Sequence, residues 1–503
     1  MKKLVAARRA SQILFSTLFI AILWSTTYPL EGALPPSTFF VFDPLLTIAT
    51  SISERLLFPA CILACAMLIL TAVFGRFFCG WICPLGATID LIGTLKRGHG
   101  DLPAAMARRL RKQKYFVLLI IAVAAGAGTQ IAWAIDPIVI MGRFVSLNLI
   151  PGITFLIHAF FVILIKQFHF YGPVYDLYRS LKSSLLGIHV YYFSHSLIIL
   201  ASFVIIGCLT VITTRFWCRA LCPLGALYAA CGRLPLLRRR VSECARCAQC
   251  KSGCRMAAIA DTHSYIPAEC VLCMDCVYDC PDRRTYFSFK ARKEAQKEGK
   301  GSLSRGSFLA LLLSPLLVTG FKNAPGNDTR DRSSRVIRPP GVGSEDAFLD
   351  RCVRCGNCMK VCITNGLQPT LLEAGFEGIW TPRLVPEIGY CEYTCTLCGA
   401  TCPTGAIPKL TIDEKHRTRM GLAWIDRELC IPWAENKECL VCEEHCPVPE
   451  KAIKLTGAGG ARDPAKPSVD ENLCVGCGIC QNKCPVRPDR AIKVYPEDRD
   501  NAN

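Results

Sequence analysis

The chain has 503 residues, 51% of them hydrophobic, with 32 cysteines and a formal net charge of +18. Its length exceeds one ordinary domain, and its Lys and Arg lie beside apolar runs and in no recognisable nucleic-acid module, which argues against nucleic-acid binding. No strand-linked Gly-x-Gly-x-x-Gly, P-loop, flavin site, nucleophile constellation or Cys-x-x-Cys-His haem motif occurs, so a self-contained catalyst is excluded and reducing equivalents must come from outside the chain.

Four apolar runs approach the roughly 20 residues a bilayer crossing takes. They are Gln12–Tyr28, Leu56–Phe74, Phe116–Ala134 and Leu197–Thr214. Lys2, Lys3, Arg8 and Arg9 precede the first run. Arg76, Lys96, Arg97, Arg108, Arg109, Arg111, Lys112 and Lys114 fill the loop after the second, and Arg215, Arg219, Arg233 and Arg238–Arg240 follow the fourth. Basic loops stay inside, so four crossings close with residues 1–234 as an α-helical membrane bundle. A shorter apolar stretch, Gly152–Ile165, has a length more typical of an interfacial helix, and is expected on the outer surface.

Within the bundle, Arg76-Phe77-Phe78-Cys79-Gly80-Trp81-Ile82-Cys83-Pro84-Leu85-Gly86-Ala87 is echoed by Arg215-Phe216-Trp217-Cys218-Arg219-Ala220-Leu221-Cys222-Pro223-Leu224-Gly225-Ala226. Each copy follows the second helix of a hairpin. Two hairpin repeats therefore deliver Cys79, Cys83, Cys218 and Cys222 to the inner side, as a metal, cluster or dithiol site or as structural turns. Cys61, Cys65, Cys208 and Cys231 read as inert small hydrophobes.

Residues 235–300 hold two motifs, Cys244/Cys247/Cys250/Cys254 and Cys270/Cys273/Cys276/Cys280, each spaced Cys-x2-Cys-x2-Cys-x3-Cys. Residues 301–343 contain a short apolar run, Ser307–Phe321, behind a basic stretch, and then a polar linker. The run is an anchor or a degenerate twin-arginine-like segment, expected to carry the chain outward. Residues 344–503 hold four more quartets: Cys352/Cys355/Cys358/Cys362, Cys391/Cys395/Cys398/Cys402, Cys430/Cys439/Cys442/Cys446 and Cys474/Cys477/Cys480/Cys484. Zinc takes four ligands, usually as two separated Cys-x2-Cys knuckles, and disulfide frameworks belong to small secreted domains. Three evenly spaced thiolates with a fourth behind them suit a cubane iron–sulfur cluster, whose fourth cysteine typically serves the partner of a pair. Six [4Fe-4S] clusters in small α+β ferredoxin-like domains are expected, with no haem, flavin or nucleotide.

A bilayer-dissolved quinol is the simplest electron donor for such a bundle, and its oxidation needs a proton acceptor. Asp136 and His158 are the chosen candidates, from a group that also includes Asp43, His189 and His195. Ionisable groups at membrane depth are costly and often functional.

At these motifs the chain resembles a known family. The doubled Phe-Cys-x3-Cys-Pro-Leu-Gly (its second copy carrying Trp217 in place of the Phe), Asp43-Pro44-Leu45, and Asp136-Pro137 with Met141-Gly142-Arg143 are similar to NapH, a membrane quinol dehydrogenase subunit related to NosR and MauN. Residues 344–503 resemble NapG and MauM, periplasmic four-cluster proteins, down to the spacing before Cys439. The resemblance implies a NapH–NapG fusion in the bacterial inner membrane, with the two-cluster domain cytoplasmic and the four-cluster domain periplasmic. It would pass electrons from quinol to a periplasmic reductase or multihaem cytochrome. A pure conduit from a cytoplasmic ferredoxin to an external partner, or a role in maturing a metalloenzyme, is the other reading.

Overall fold

The computed structural model describes residues 2–30, 32, 34–94, 104–167, 172–182, 191–233, 235–242, 244, 247, 249–259, 264–281, 284–289, 336–457 and 464–497. The expected anchor Ser307–Phe321 and the candidate His189 lie outside the described residues. The chain forms two compact units built from interleaved segments. The first comprises Met1–Ile22, Ser37–Phe144 and Ile198–Gly320, and the second Leu23–Pro36, Val145–Leu197 and Phe321–Asn503.

The first unit is helical. Its elements are α1 (Lys2–Trp24), α2 (Thr38–Val41), α3 (Pro44–Glu54), α4 (Ala60–Phe74), α5 (Phe77–Trp81), α6 (Pro84–Thr94), α7 (Ala104–Gly126) and α8 (Pro137–Phe144). After the segments that belong to the second unit come α11 (Ser196–Ile212), α12 (Phe216–Ala220) and α13 (Pro223–Cys231), α9 (Ile150–Lys166) and α10 (Pro173–Leu181) lying in between. The repeat is deeper than the cysteine motif. In each copy an Asp-Pro pair opens a helix (Asp43 at α3, Asp136 at α8), an apolar helix follows (α4, α11), and two short helices carry the cysteines (α5–α6, α12–α13).

Local chemistry explains the short helices. Cys222 is the N-cap of α13 and Pro223 stands at N1, where a missing N–H costs nothing. The Cys222 thiol takes the place of the usual capping oxygen and accepts from the Gly225 amide at 3.2 Å, and Cys83 accepts from Gly86 at 3.4 Å. The glycine is needed. A Cβ at Gly86 would stand 2.9 Å from the Cys79 carbonyl oxygen, and one at Gly225 would stand 2.5 Å from the Arg76 guanidinium.

Two helices, Lys3–Trp24 and the continuous Pro137–Lys166, are long and apolar enough to cross a membrane; Ala60–Phe74 and Ser196–Ile212 are shorter apolar helices. The Gly152–Ile165 stretch, expected as a separate interfacial helix, is instead the C-terminal part of the 30-residue helix Pro137–Lys166. A five-residue π-helical segment, Val145–Leu149, carries the helix past the point where the apolar run weakens. Ile62, Ile69, Leu197, Ile205 and Val211 are exposed, so α4 and α11 present apolar faces in matching places of the two repeats.

Buried ions tie the first unit together. Asp90 on α6 pairs with Arg215 (2.7 Å), Arg255 (3.3 Å) and Arg8 (3.7 Å), and accepts from Gln12 at 2.9 Å. Asp275 pairs with Arg255 and Arg8. Burial alone would push the Asp90 carboxyl up; Arg215, Arg255 and Gln12 more than reverse this and hold it well below the usual carboxylate range.

The remaining domains are small two-stranded sheets around cysteine loops. β1 (Arg238–Val241) pairs antiparallel with β2 (Thr285–Ser288) in the first unit. In the second, β3 (Leu367–Pro369) pairs with β4 (Pro382–Leu384), β5 (Gly421–Ile425) with β8 (Ile492–Pro496), and β6 (Ile453–Thr456) with β7 (Lys466–Val469). The nesting of β6–β7 inside β5–β8 brings the third and fourth quartets together.

Asp90→Ala leaves buried guanidiniums uncompensated and is expected to cost about 3–5 kcal/mol, read as a lower denaturation midpoint in detergent. The folded Asp90 is more acidic than the unfolded one, so its contribution is complete above about pH 4 and is lost as pH falls further. The wild-type advantage over Asp90→Ala should therefore shrink on acidification; a pH-independent difference contradicts the assignment.

Candidate redox centres

The six cysteine quartets form three pairs, and in each pair the fourth cysteines change places. In the first unit, Cys280 stands with Cys244, Cys247 and Cys250, while Cys254 stands with Cys270, Cys273 and Cys276. In the second unit, Cys402 joins Cys352, Cys355 and Cys358. Cys362 joins Cys391, Cys395 and Cys398 round one pocket. Cys484 joins Cys430, Cys439 and Cys442 round a second, and Cys446 joins Cys474, Cys477 and Cys480 round a third. Such an exchange is the habit of two-cluster ferredoxins.

These cages fit a cubane. Each gathers four thiols, yet among the described residues no three His, Cys, Asp or Glu side chains close tightly enough to hold a single metal ion. Burial pushes the thiols up, Cys276 and Cys442 to about 12 and Cys352 to about 11, so filling the cages with metal must release protons. Cage hydrogen bonds to sulfur come from Arg239 to Cys250 (3.4 Å), the Ala258 amide to Cys254 (3.3 Å) and the Ile407 amide to Cys402 (3.5 Å). Such bonds tune cluster potentials.

The eight-residue gap before Cys439 opens with a single helical turn, Ile431–Ala434, whose N-cap is Cys430, and the irregular spacing still closes the cage. His445 is exposed and its ring lies 2.9 Å from the Val441 carbonyl oxygen, outside the thiol set.

Across the second unit the cages follow an order different from the sequence. The first motif's cage adjoins the second through Cys358 and Cys398. The second adjoins the fourth, where the Cys391 amide donates to the Cys477 carbonyl at 2.8 Å. The fourth adjoins the third through Cys480 and Cys442. The first motif in turn packs on segments from the apolar half of the chain. Asn357 donates to the Pro36 carbonyl at 3.3 Å, Lys360 to those of Trp24 and Thr26 at 3.2 and 2.9 Å, and Asn365 and Gln368 to that of Tyr192.

Cys79, Cys83, Cys218 and Cys222 converge in the first unit as buried mutual neighbours. The two copies are locked by a crossed pair of hydrogen bonds. Arg76 of the first copy donates to the Cys218 carbonyl at 3.4 Å, and Arg215 of the second to the Cys79 carbonyl at 3.1 Å. Arg76 pairs with Glu269 at 3.1 Å, as does Lys114 at 2.5 Å. Sequence reasoning did not single out these arginines, although each precedes its first cysteine by the same interval in both copies. Gly80 and Trp81 carry the contact with the two-cluster domain. Trp81 donates to the Leu272 carbonyl at 3.0 Å, and a Cβ at Gly80 would stand 2.1 Å from the Val271 oxygen. Arg215 feels both Cys218 and Cys273, so the four-thiol site and the Cys254/Cys270/Cys273/Cys276 cage are neighbours.

The proton-acceptor candidates are distributed over both units, Asp43 and Asp136 in the first and His158 and His195 in the second. His158, on α9 in the second, lies 2.5 Å from the Tyr178 hydroxyl, and His195 lies 3.5 Å from Glu373.

Residues 56–100 and 196–242, which contain both copies of the repeat, match the family described as a 4Fe-4S binding domain, and residues 467–488 match a second family of that description. The chain is 36% identical over 172 residues to the ferredoxin-type protein NapG of Escherichia coli K12, covering 33% of this chain and 73% of that protein. It is 35% identical over 170 residues to the methylamine utilization ferredoxin-type protein MauM of Methylorubrum extorquens (33% and 74%), and 35% over 212 residues to MauM of Paracoccus denitrificans (41% and 90%). No solved structure matches.

Exchange of the fourth cysteines has a measurable consequence. Cys402→Ser and Cys352→Ser should perturb the same cluster's EPR signal, and Cys391→Ser and Cys362→Ser another. Shared signals for Cys352 and Cys362 would contradict the pairing.

Proposed function

The chain belongs to the ferredoxin-type protein family that includes NapG and MauM, and from that premise we propose that it is a membrane-bound electron-transfer protein, oxidising a quinol and serving an acceptor outside the cytoplasm. The observation that carries the reading is the direct packing of a buried four-thiol site, set between two apolar repeats, against a two-cluster domain. The cluster cysteines would be the six exchanged quartets, and Cys79, Cys83, Cys218 and Cys222 would form a further redox site. Iron–sulfur groups bound there supply one-electron transfer.

The chain's own residues fit such groups by charge. Among the described residues Arg8, Arg215 and Arg255 pair with Asp90 and Asp275, and Arg76 and Lys114 with Glu269, so positive groups outnumber the carboxylates they pair with beside the thiols. A guanidinium cannot escape by losing its proton. A thiolate cage is anionic and balances that surplus. The N-termini of α6 and α13 at Cys83 and Cys222 act in the same direction.

Sidedness is proposed from the way segments sort. A four-crossing chain with its N-terminus inside places residues after α1 and between α7 and α11 outside. Those are the segments, Leu23–Pro36 and Val145–Leu197, that join the four-cluster domain in one unit; the basic loops join the two-cluster domain in the other. On this reading electrons reach the four-cluster domain at Cys352/Cys355/Cys358/Cys402 and leave at the far cage, Cys430/Cys439/Cys442/Cys484. A donor on the cytoplasmic side is the second reading, favoured by the contact of Trp81 with the two-cluster domain. A fusion of NapH-like and NapG-like parts accounts for both halves.

Purified chain mixed anaerobically with menaquinol should bleach its iron–sulfur absorbance within seconds. Reduction by a ferredoxin and not by menaquinol would select the second reading. In spheroplasts, a protease added outside should cut the four-cluster domain and spare the two-cluster domain; the reverse pattern would sink the sidedness. Iron should exceed about 24 per chain, at four for each of six cubanes, and fall on Cys79→Ser with Cys218→Ser.

A further inference from the structure

Asp43 and Asp136 stand at equivalent places in the two repeats, each followed by proline and each capping a helix. One carboxyl oxygen of Asp43 accepts from the amides of Leu45 and Leu46 at 2.9 and 3.3 Å, and one of Asp136 from those of Ile138 and Val139 at 2.8 and 3.0 Å. Both residues are 0% exposed. Their second oxygens, Oδ2 in each, are buried and have no hydrogen-bond donor. The two carboxyl groups nonetheless lie within hydrogen-bonding reach of one another.

Two carboxylates in this position have no hydrogen between them and repel, and a buried pair of like charges does not stay doubly ionised. One proton satisfies both orphaned oxygens at once. The remaining negative charge faces the N-termini of α3 and α8, which favour an anion. Discontinuous helices whose N-termini meet between two membrane repeats are a recurring way to build a site.

A third orphan lies beside them. The Tyr228 hydroxyl, on α13 where that helix packs against α3, is buried at 0% exposure without a partner. It is electrostatically coupled to Asp43 and Asp136 on one hand and to Cys79 and Cys83 on the other. Its ring packs on Phe78, next to Cys79, with centroids 5.5 Å apart.

We propose that Asp43 and Asp136 share a single proton, and that this pair, connected through Tyr228 to the four-thiol site, accepts a proton from a hydroquinone-class donor. The acceptor role rests on the quinol reading; the shared proton does not. A hydroquinone yields two electrons and two protons. The electrons pass one at a time to the chain's iron–sulfur centres. One hydroquinone O–H bond breaks as its proton moves onto the pair, making both acids neutral, and release of that proton to water restores the one-proton state before the second O–H is broken.

The test is infrared spectroscopy on the full chain in detergent. Wild type should show the carbonyl stretch of a protonated carboxylic acid, shifted in deuterated buffer. Asp43→Asn and Asp136→Asn should each abolish it, because asparagine keeps the cap and supplies its own hydrogen to the remaining carboxylate. Both variants should slow reduction by menaquinol by at least about 100-fold while dithionite reduces them as it does wild type. Tyr228→Phe should retain the band and slow menaquinol alone. A wild-type chain without the band, or a band that survives in both asparagine variants, overturns the shared proton. A band that behaves as expected with unchanged menaquinol rates overturns the acceptor role. Wild type that shows the band yet ignores menaquinol sinks the quinol reading instead.

Discussion

Arg76 and Arg215 reach across from their own repeat to the cysteine backbone of the other, and the redox end of the molecule depends on that crossing. Both guanidiniums are buried at 2% exposure or less, where an unpaired charge would cost several kcal/mol. Glu269 and Asp90 supply counter-charge, and they come from different places: Glu269 from the two-cluster domain, Asp90 from α6. The same contacts that make the arginines tolerable therefore fasten the cysteine motifs to each other and to the domain beside them.

Exchange of the fourth cysteines has a comparable effect on the ferredoxin-like parts. No quartet closes a cage from its own loop; each needs its partner's last thiol. These small sheets bury little apolar surface, so shared ligation is what makes a pair of loops one body. The order of cages in the second unit follows from this, because the third and fourth motifs are paired by β5–β8 and the fourth, not the third, meets Cys391.

In the helical first unit two carboxyl groups are placed with similar economy. Asp43 and Asp136 are spent on capping α3 and α8, yet each keeps one oxygen free in the same buried place. A residue that only capped a helix would turn its other oxygen to solvent or to a donor. The two repeats thus converge twice, once at the four thiols and once at the carboxyl pair, and Tyr228 interacts electrostatically with both.

The sequence by itself was enough to find the cysteine quartets, the doubled Arg-to-Ala motif, the apolar runs and the two Asp-Pro pairs, because each is a short-range pattern written in consecutive residues. It put Cys79, Cys83, Cys218 and Cys222 on the same side, since two copies of one motif follow equivalent hairpins, and left open whether they form a metal or dithiol site or structural turns. Tertiary structure alone decided which fourth cysteine serves which cage, that Gly152–Ile165 belongs to one continuous 30-residue helix, and that Asp136 finds Asp43. Those outcomes hang on contacts between residues far apart in the chain, as for the Cys391 amide and the Cys477 carbonyl. Such contacts are set by the summed packing of whole elements, and no local pattern encodes them.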